Sequence, residues 1–246
     1  DWIFPVGTKA WKEFSVGASV VETRLLMKVN DTQWWESAYA WTADGTDAVS
    51  VPGGVMNALG TTHEIPTQAD CNECHVNVRD VLVGVSAVEL GASDGDGTLA
   101  ALASAGRLTS PPAAHYDVPG SGVAKDALGY LHANCGHCHN AGSTLAQQTP
   151  MRLRVLTTDT APESSDAYRS TAFLTMKHPV PPDDIVYALL PGAPDRSGIA
   201  VRMARRDSFG MPPEGTAVVD DAGLATVRAW IASMTCGAAC TSALAR

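Results

Sequence analysis

Two pentapeptides restrict what this chain can be more than anything else in it: Cys71-Asn72-Glu73-Cys74-His75 and Cys135-Gly136-His137-Cys138-His139. Both read Cys-x-x-Cys-His. With 6 Cys and 7 His in 246 residues, one such pentapeptide arises by chance roughly 0.004 times, and two about 0.00001 times. Thiols at this spacing can form thioethers with the two vinyl groups of one haem, and the adjacent His then reaches the iron as proximal ligand. The spacing predicts two covalently attached haems c, one on Cys71, Cys74 and His75, the other on Cys135, Cys138 and His139. Two other chemistries use paired cysteines. A structural zinc module keeps its pairs roughly 15 to 20 residues apart, whereas these pairs stand at 71/74 and 135/138. A thioredoxin-like redox pair needs a βαβ context that neither segment shows.

The other two cysteines, Cys236 and Cys240, read as a small local disulfide, contributing about 2 kcal/mol at most by loop entropy. Haem c attachment and a disulfide both belong to an oxidising compartment, so the expected location is the periplasm or the extracellular face of the cell. The chain opens at Asp1 with no initiator Met, positive n-region or apolar h-region, as a mature or trimmed form would. Hydrophobic residues make up 45% and charged residues 17%, with 22 Gly and 15 Pro, which describes a globular protein with many turns. No run approaches the roughly 18 apolar residues of a membrane span. The formal charge of -9, without a basic stripe, argues against a nucleic-acid partner and for basic redox partners.

Along the chain, residues 18–29 and 34–41 have the alternation and β-branched or aromatic content of strands, punctuated by Asn30-Asp31 and Asp44-Gly45, so an antiparallel meander is expected. Five of the six Trp lie in this first fifth, as core and edge aromatics of a small sheet or as a docking or sugar-binding face. Residues 78–90 and 97–108 carry apolar side chains at helical intervals, broken at Asp94-Gly95-Asp96-Gly97. With Glu89 nearby this break suggests calcium, but it lacks an EF-hand's ligand spacing and reads as a turn. After a linker at 109–123, a helix at 124–134 sets Leu128 and Leu131 on one face and delivers Cys135. A last helix at 221–234 aligns Leu224, Val227, Trp230 and Ile231, and the two helices should pack together. The expected class is α+β: a β-rich segment 1–61, a first haem segment 62–118 and a second haem domain 119–246, the last two mainly α-helical.

The second haem domain resembles class I c-type cytochromes in three elements standing in the same order: Cys135 to His139, the loop Phe209-Gly210-Met211-Pro212-Pro213, and the helix carrying Trp230-Ile231. The resemblance implies that Met211 is the sixth iron ligand, held by a proline-stiffened loop. Met203, in Arg202-Met203-Ala204, is the rival ligand or a porphyrin-packing residue. The stretch from His139 to Met211 is longer than in a minimal cytochrome, so 157–182 reads as an insertion or as a wrap around the other haem.

A wider resemblance rests on Phe4-Pro5-Val6-Gly7-Thr8, Glu22-Thr23-Arg24-Leu25-Leu26, Trp41-Thr42-Ala43-Asp44-Gly45-Thr46-Asp47-Ala48, His63-Glu64-Ile65-Pro66 and Tyr130-Leu131-His132-Ala133-Asn134-Cys135. These are similar to dihaem cytochrome c modules of large secreted bacterial proteins, some fused to sugar-dehydrogenase-like propellers. The similarity implies single-electron transfer between redox partners outside the cytoplasm, with no catalytic residue, and leaves an oligomer or polymer open. The first haem lacks a Met-Pro-Pro loop. His115 leads the candidates for its sixth ligand, followed by His63, Met56, Met176 and His178, or the iron is open. His132 and His137 read as groups at the porphyrin edge. The alternatives to a carrier are a dihaem peroxidase, with an open iron and Glu64 as its acid-base residue, and a structural or polymer-forming cytochrome using the Trp-rich sheet.

Overall fold

The computed structural model describes residues 2–91, 98–112, 115–181, 185–213 and 216–235. Asp94, Asp96, Cys236 and Cys240, and with them the acidic turn and the local disulfide, lie outside the described residues. The chain divides into two compact units, Asp1–Val83 and Gly84–Arg246.

The first unit is built on a four-stranded antiparallel meander in the order β1 (Lys9–Val16), β2 (Ser19–Lys28), β3 (Trp34–Trp41) and β4 (Ala48–Ser50). Its turns follow the sequence signals. The Asn30 side chain accepts from the backbone N–H groups of Thr32 and Gln33, both at 3.0 Å, and Asp44 accepts from that of Thr46 at 3.1 Å. Gly45 supplies the left-handed φ of 68° that the second turn needs. Strand β1 escapes the sequence reading because it is an edge strand, mostly exposed and too charged to alternate cleanly. A register shift sets Phe14 against Glu22 and Ser15 against Val20, so Val21 bulges and turns its side chain into the core. There it meets Ala38, Ala58 and Ile65, with Phe14, Ala40, Val51 and Val55 around them. Trp11, Trp35 and Trp41 share one face of the sheet and Trp34 the other; Trp11 and Trp35 remain 58% and 41% exposed, whereas Trp34 and Trp41 are half-buried and donate indole N–H bonds to Asp80 and Thr23.

Helix α1 (Gln68–His75) begins at a full capping box, in which the Thr67 hydroxyl accepts from the Asp70 N–H and the Asp70 carboxylate accepts from the Thr67 N–H at 2.9 Å. The periodicity at 78–90 predicts a helix there, but Asp80 and Val81 hold φ of 60° and 48°, and only α2 (Ala87–Gly91) is helical. The corner at Asp80 is fixed by tertiary bonds that no local pattern encodes.

In the second unit, α3 (Leu99–Ser104) and α4 (Gly122–Asn134) are followed by α5 (Asp166–Arg169), a hairpin of β5 (Thr175–Val180) and β6 (Ile185–Tyr187), α6 (Gly198–Met203) and α7 (Asp221–Ser233). Helices α4 and α7 pack on each other as their apolar stripes require, with Leu128, Leu131, Val227 and Ile231 inaccessible to solvent. Their approach needs a glycine: a Cβ on Gly223 would run into the Tyr130 ring. Asp220 caps α7 through the Gly223 N–H at 2.9 Å and also takes a hydrogen bond from Tyr130.

The α+β class holds, with 31% helix and 19% strand, but the segments expected to carry haem are not mainly helical. Between α4 and α7 the chain is interrupted by prolines such as Pro150, Pro179, Pro181, Pro191 and Pro194, which cannot continue a helix. Ala167 and Val180, inside the stretch read as an insertion, are buried, so that stretch forms part of the body of this unit. Tyr116 and Val118 pack on the same core as α4, so the second half of the expected linker does too. Among the described residues, no helix is long and apolar enough to cross a membrane.

Candidate functional site

Cys71, Cys74 and His75 occupy the last two turns of α1. Spacing of i, i+3 and i+4 puts all three on one side of the helix. The side chain of His75 is held from behind, its Nδ1 lying 2.6 Å from the Val81 carbonyl oxygen. A carbonyl can only accept, so Nδ1 carries the proton and Nε2 keeps its lone pair for a metal. Cys71 lines a cavity of about 230 Å3 together with Gln68, Val51 and the β3 residues Trp35, Glu36 and Ala38. Burial pushes the Cys71 thiol up, helped by the charge of Glu36. Burial also raises Glu36, against the lowering influence of His75.

The second motif begins where α4 ends. Cys135 is its C-terminal cap, and its carbonyl accepts from Cys138 N–H at 3.1 Å and His139 N–H at 2.8 Å. One more helical turn thus carries Cys135, Cys138 and His139 in the same i, i+3, i+4 relation. The turn is pinned: the Asn140 side chain donates to the carbonyls of Gly136 and His137, and Leu153 N–H donates to the His139 carbonyl at 2.8 Å. Apolar surroundings push the Cys135 thiol up to about 12. Burial, with His137 and Arg152 nearby, lowers His139 to about 4, leaving a neutral imidazole. Among the described residues, Nδ1 of His139 and Nδ1 of His137 are buried without a hydrogen-bond partner, an uncommon and costly condition.

The donor sets fit haem c at both motifs: two thiols and an imidazole on one face of one helical turn, with the Nε2 lone pair left free at His75 by its Nδ1 bond. Met211 lies in a loop clamped to α6. Its N–H donates to the Arg202 carbonyl at 3.0 Å, and the Arg202 guanidinium reaches back to the Phe209 carbonyl at 3.0 Å. Gly210 is needed here, because a Cβ would come within 2.5 Å of the Arg205 carbonyl oxygen. Met203 instead sits in the core cluster around α4 and α7, 8% exposed.

Of the other candidates, His63 gives its Nε2 to the fully buried Glu22 carboxylate at 2.7 Å and stacks near Phe14, so that ring is already committed to the core of the first unit. Glu64 is exposed, and Met56 is 67% exposed. Met176 packs on Gly198, and His178 is exposed. His115 is exposed beside Asp117.

His132 is a structural core histidine. Its Nδ1 accepts from Val155 N–H at 3.0 Å, so its Nε2 carries the proton toward the Ser86 hydroxyl at 3.2 Å. Burial and then the nearby Arg154 charge lower it to about 4. An unfolded His titrates near 6.5, so between about pH 6.5 and 4 the unfolded chain takes a proton that the folded chain refuses, and stability falls as pH falls through that window. The expected loss is about 3 kcal/mol at most. Urea unfolding at pH 7.5 and 4.5 should show this drop, and the drop should shrink in His132→Asn; an equal drop in the variant would contradict the assignment.

Sequence reading did not mark Lys28, Asp80 or Ser86. Only Lys28 left a local trace, as a charged residue closing the apolar run Leu25-Leu26-Met27. No protein-family model, curated protein or solved structure matches this chain.

Proposed function

We propose that the protein is a dihaem c-type cytochrome that carries single electrons between redox partners outside the cytoplasm. The observation that carries this reading is the repeated placement of Cys, Cys and His on one face of a helical turn, with the ring of His75 already tied through Nδ1 so that Nε2 is presented. Haem c bound at these sites supplies reversible one-electron chemistry. Cys71 and Cys74 hold one group by thioethers and His75 is its proximal ligand; Cys135, Cys138 and His139 do the same for the other. Met211 is the sixth ligand at the second site, where a soft thioether favours the ferrous state and raises the potential. The first motif has no methionine loop of this kind, and different ligation would stagger the two potentials and give the transfer a direction. The net charge of -9 suits a basic partner. Glu64, the acid-base residue a peroxidase reading would need, is exposed.

Mass spectrometry of the denatured protein should find two covalently retained haems, and replacing Cys71 or Cys135 should remove stable attachment at one site at a time. A haem-free chain, isolated from a host that attaches haem c, would overturn the proposal.

A further inference from the structure

Asp80 and Val81 both lie in the left-handed backbone region, with φ of 60° and 48°. For a β-branched residue such as Val this conformation is strongly disfavoured, and it persists only where surrounding contacts impose it. The contacts here converge on one carboxylate. Lys28 Nζ, from the end of β2, lies 2.7 and 2.6 Å from the two Asp80 oxygens; the Trp34 indole N–H, from the start of β3, is at 3.2 Å; and the Phe4 backbone N–H is at 2.6 Å. Lys28 is 2% exposed, so this ion pair is shielded from solvent and each partner is costly to leave alone. Burial alone would raise the Asp80 carboxyl, but hydrogen bonds from Lys28, Phe4 and Trp34 outweigh it and keep the group below the usual carboxylate range. The next residue after this anchored aspartate is Val81, whose carbonyl accepts from His75 Nδ1 at 2.6 Å.

We propose that Lys28 and Asp80 are positioning residues for His75: the ion pair fixes the Asp80–Val81 corner, and the corner aims the Val81 carbonyl at the imidazole. The inference rests on the reading of His75 as a proximal haem ligand and adds to it a link from the β-sheet to that ligand. A strong Nδ1–H bond orients the ring and makes Nε2 more basic toward iron, which favours the ferric state. Loosening the corner should therefore raise the potential of the first haem and leave the second where it was.

The test uses the holoprotein and the variants Asp80→Asn, Lys28→Met and Lys28→Arg. Asn tolerates the left-handed region, so Asp80→Asn removes the charge with little backbone cost. Haem content is measured first by mass; absence of haem from Cys71 and Cys74 in the parent protein would fail the underlying reading rather than the positioning role. With both haems present, spectroelectrochemical titration resolves two potentials, and the one that does not move in Met211→Ala belongs to the first haem. The expected result is an upward shift of that potential, with altered low-spin g values in the EPR spectrum of the same haem, in Asp80→Asn and Lys28→Met, largely restored in Lys28→Arg. Unchanged potential and g values in variants that retain both haems would overturn the proposal, whatever their melting temperatures. If Lys28→Met does not fold, Trp34→Phe removes a single donor and should shift the potential the same way by less; no shift in Trp34→Phe and Asp80→Asn would overturn it equally.

Discussion

Met211→Ala is expected to abolish the weak red-end charge-transfer band of a thioether-ligated ferric haem and to lower the potential of the second haem, while leaving the fold in place. Met211 sits in a half-buried loop whose following prolines are exposed, and the loop is held by backbone bonds to Arg202 that the substitution does not touch. In the proposed ligation, losing the soft donor removes its preference for the reduced state. Met203→Ala should behave in the opposite way. Met203 is packed into the α4 and α7 core, so truncation leaves a cavity costing about 2 to 5 kcal/mol with the band intact. Visible spectra, potentiometry and urea unfolding of the two variants separate the roles. If the band disappears in Met203→Ala and survives in Met211→Ala, the ligand assignment is wrong.

Leu131→Ala should be among the most damaging changes in the second unit, costing about 2 to 5 kcal/mol. The side chain is fully buried where α4 meets α7, in the cluster that includes Leu128, Val227 and Ile231. The two helices cannot close over the gap, because Gly223 already stands against the Tyr130 ring. The Leu131 backbone carbonyl also receives the N–H groups of Cys135 and Gly136, both at 2.9 Å, so the residue that fills the core also carries the turn leading into the second motif. Chemical denaturation should show a lower midpoint with an unchanged slope; a loss below about 1 kcal/mol would mean that the site collapses around the smaller side chain.

How much of this was legible depended on the distance over which each feature is encoded. Strands β2 and β3, the turns at Asn30 and Asp44, and helices α4 and α7 follow from alternation, turn residues and apolar stripes, all read within a dozen residues. Strand β1 left little signal, since an edge strand needs only backbone partners and can stay charged. The helical periodicity over 78–90 misled because Asp80 answers to Lys28, 52 residues away. The long region between α4 and α7 shows its lack of helix in its prolines, but its burial comes from partners spread along the chain: the Arg152 N–H meets the Ser170 hydroxyl, and Gly192 N–H meets the Ile231 carbonyl.

The sequence by itself determined the donor sets that covalent spacing controls. Two Cys-x-x-Cys-His runs fall on one helical face wherever a turn of helix forms, so the donor sets at 71–75 and 135–139 needed no knowledge of the rest of the chain. Only the tertiary structure decided what each histidine does. His75 offers Nε2 because the Val81 carbonyl takes its other nitrogen; His132 is held neutral between Ser86 and Val155, 46 and 23 residues away; and His63 is spent on Glu22, 41 residues away. An imidazole has two nitrogens of nearly equal basicity, and its role is set by which of them finds a partner. Those partners are brought in by chain closure over long loops, a condition that residue type and spacing do not record.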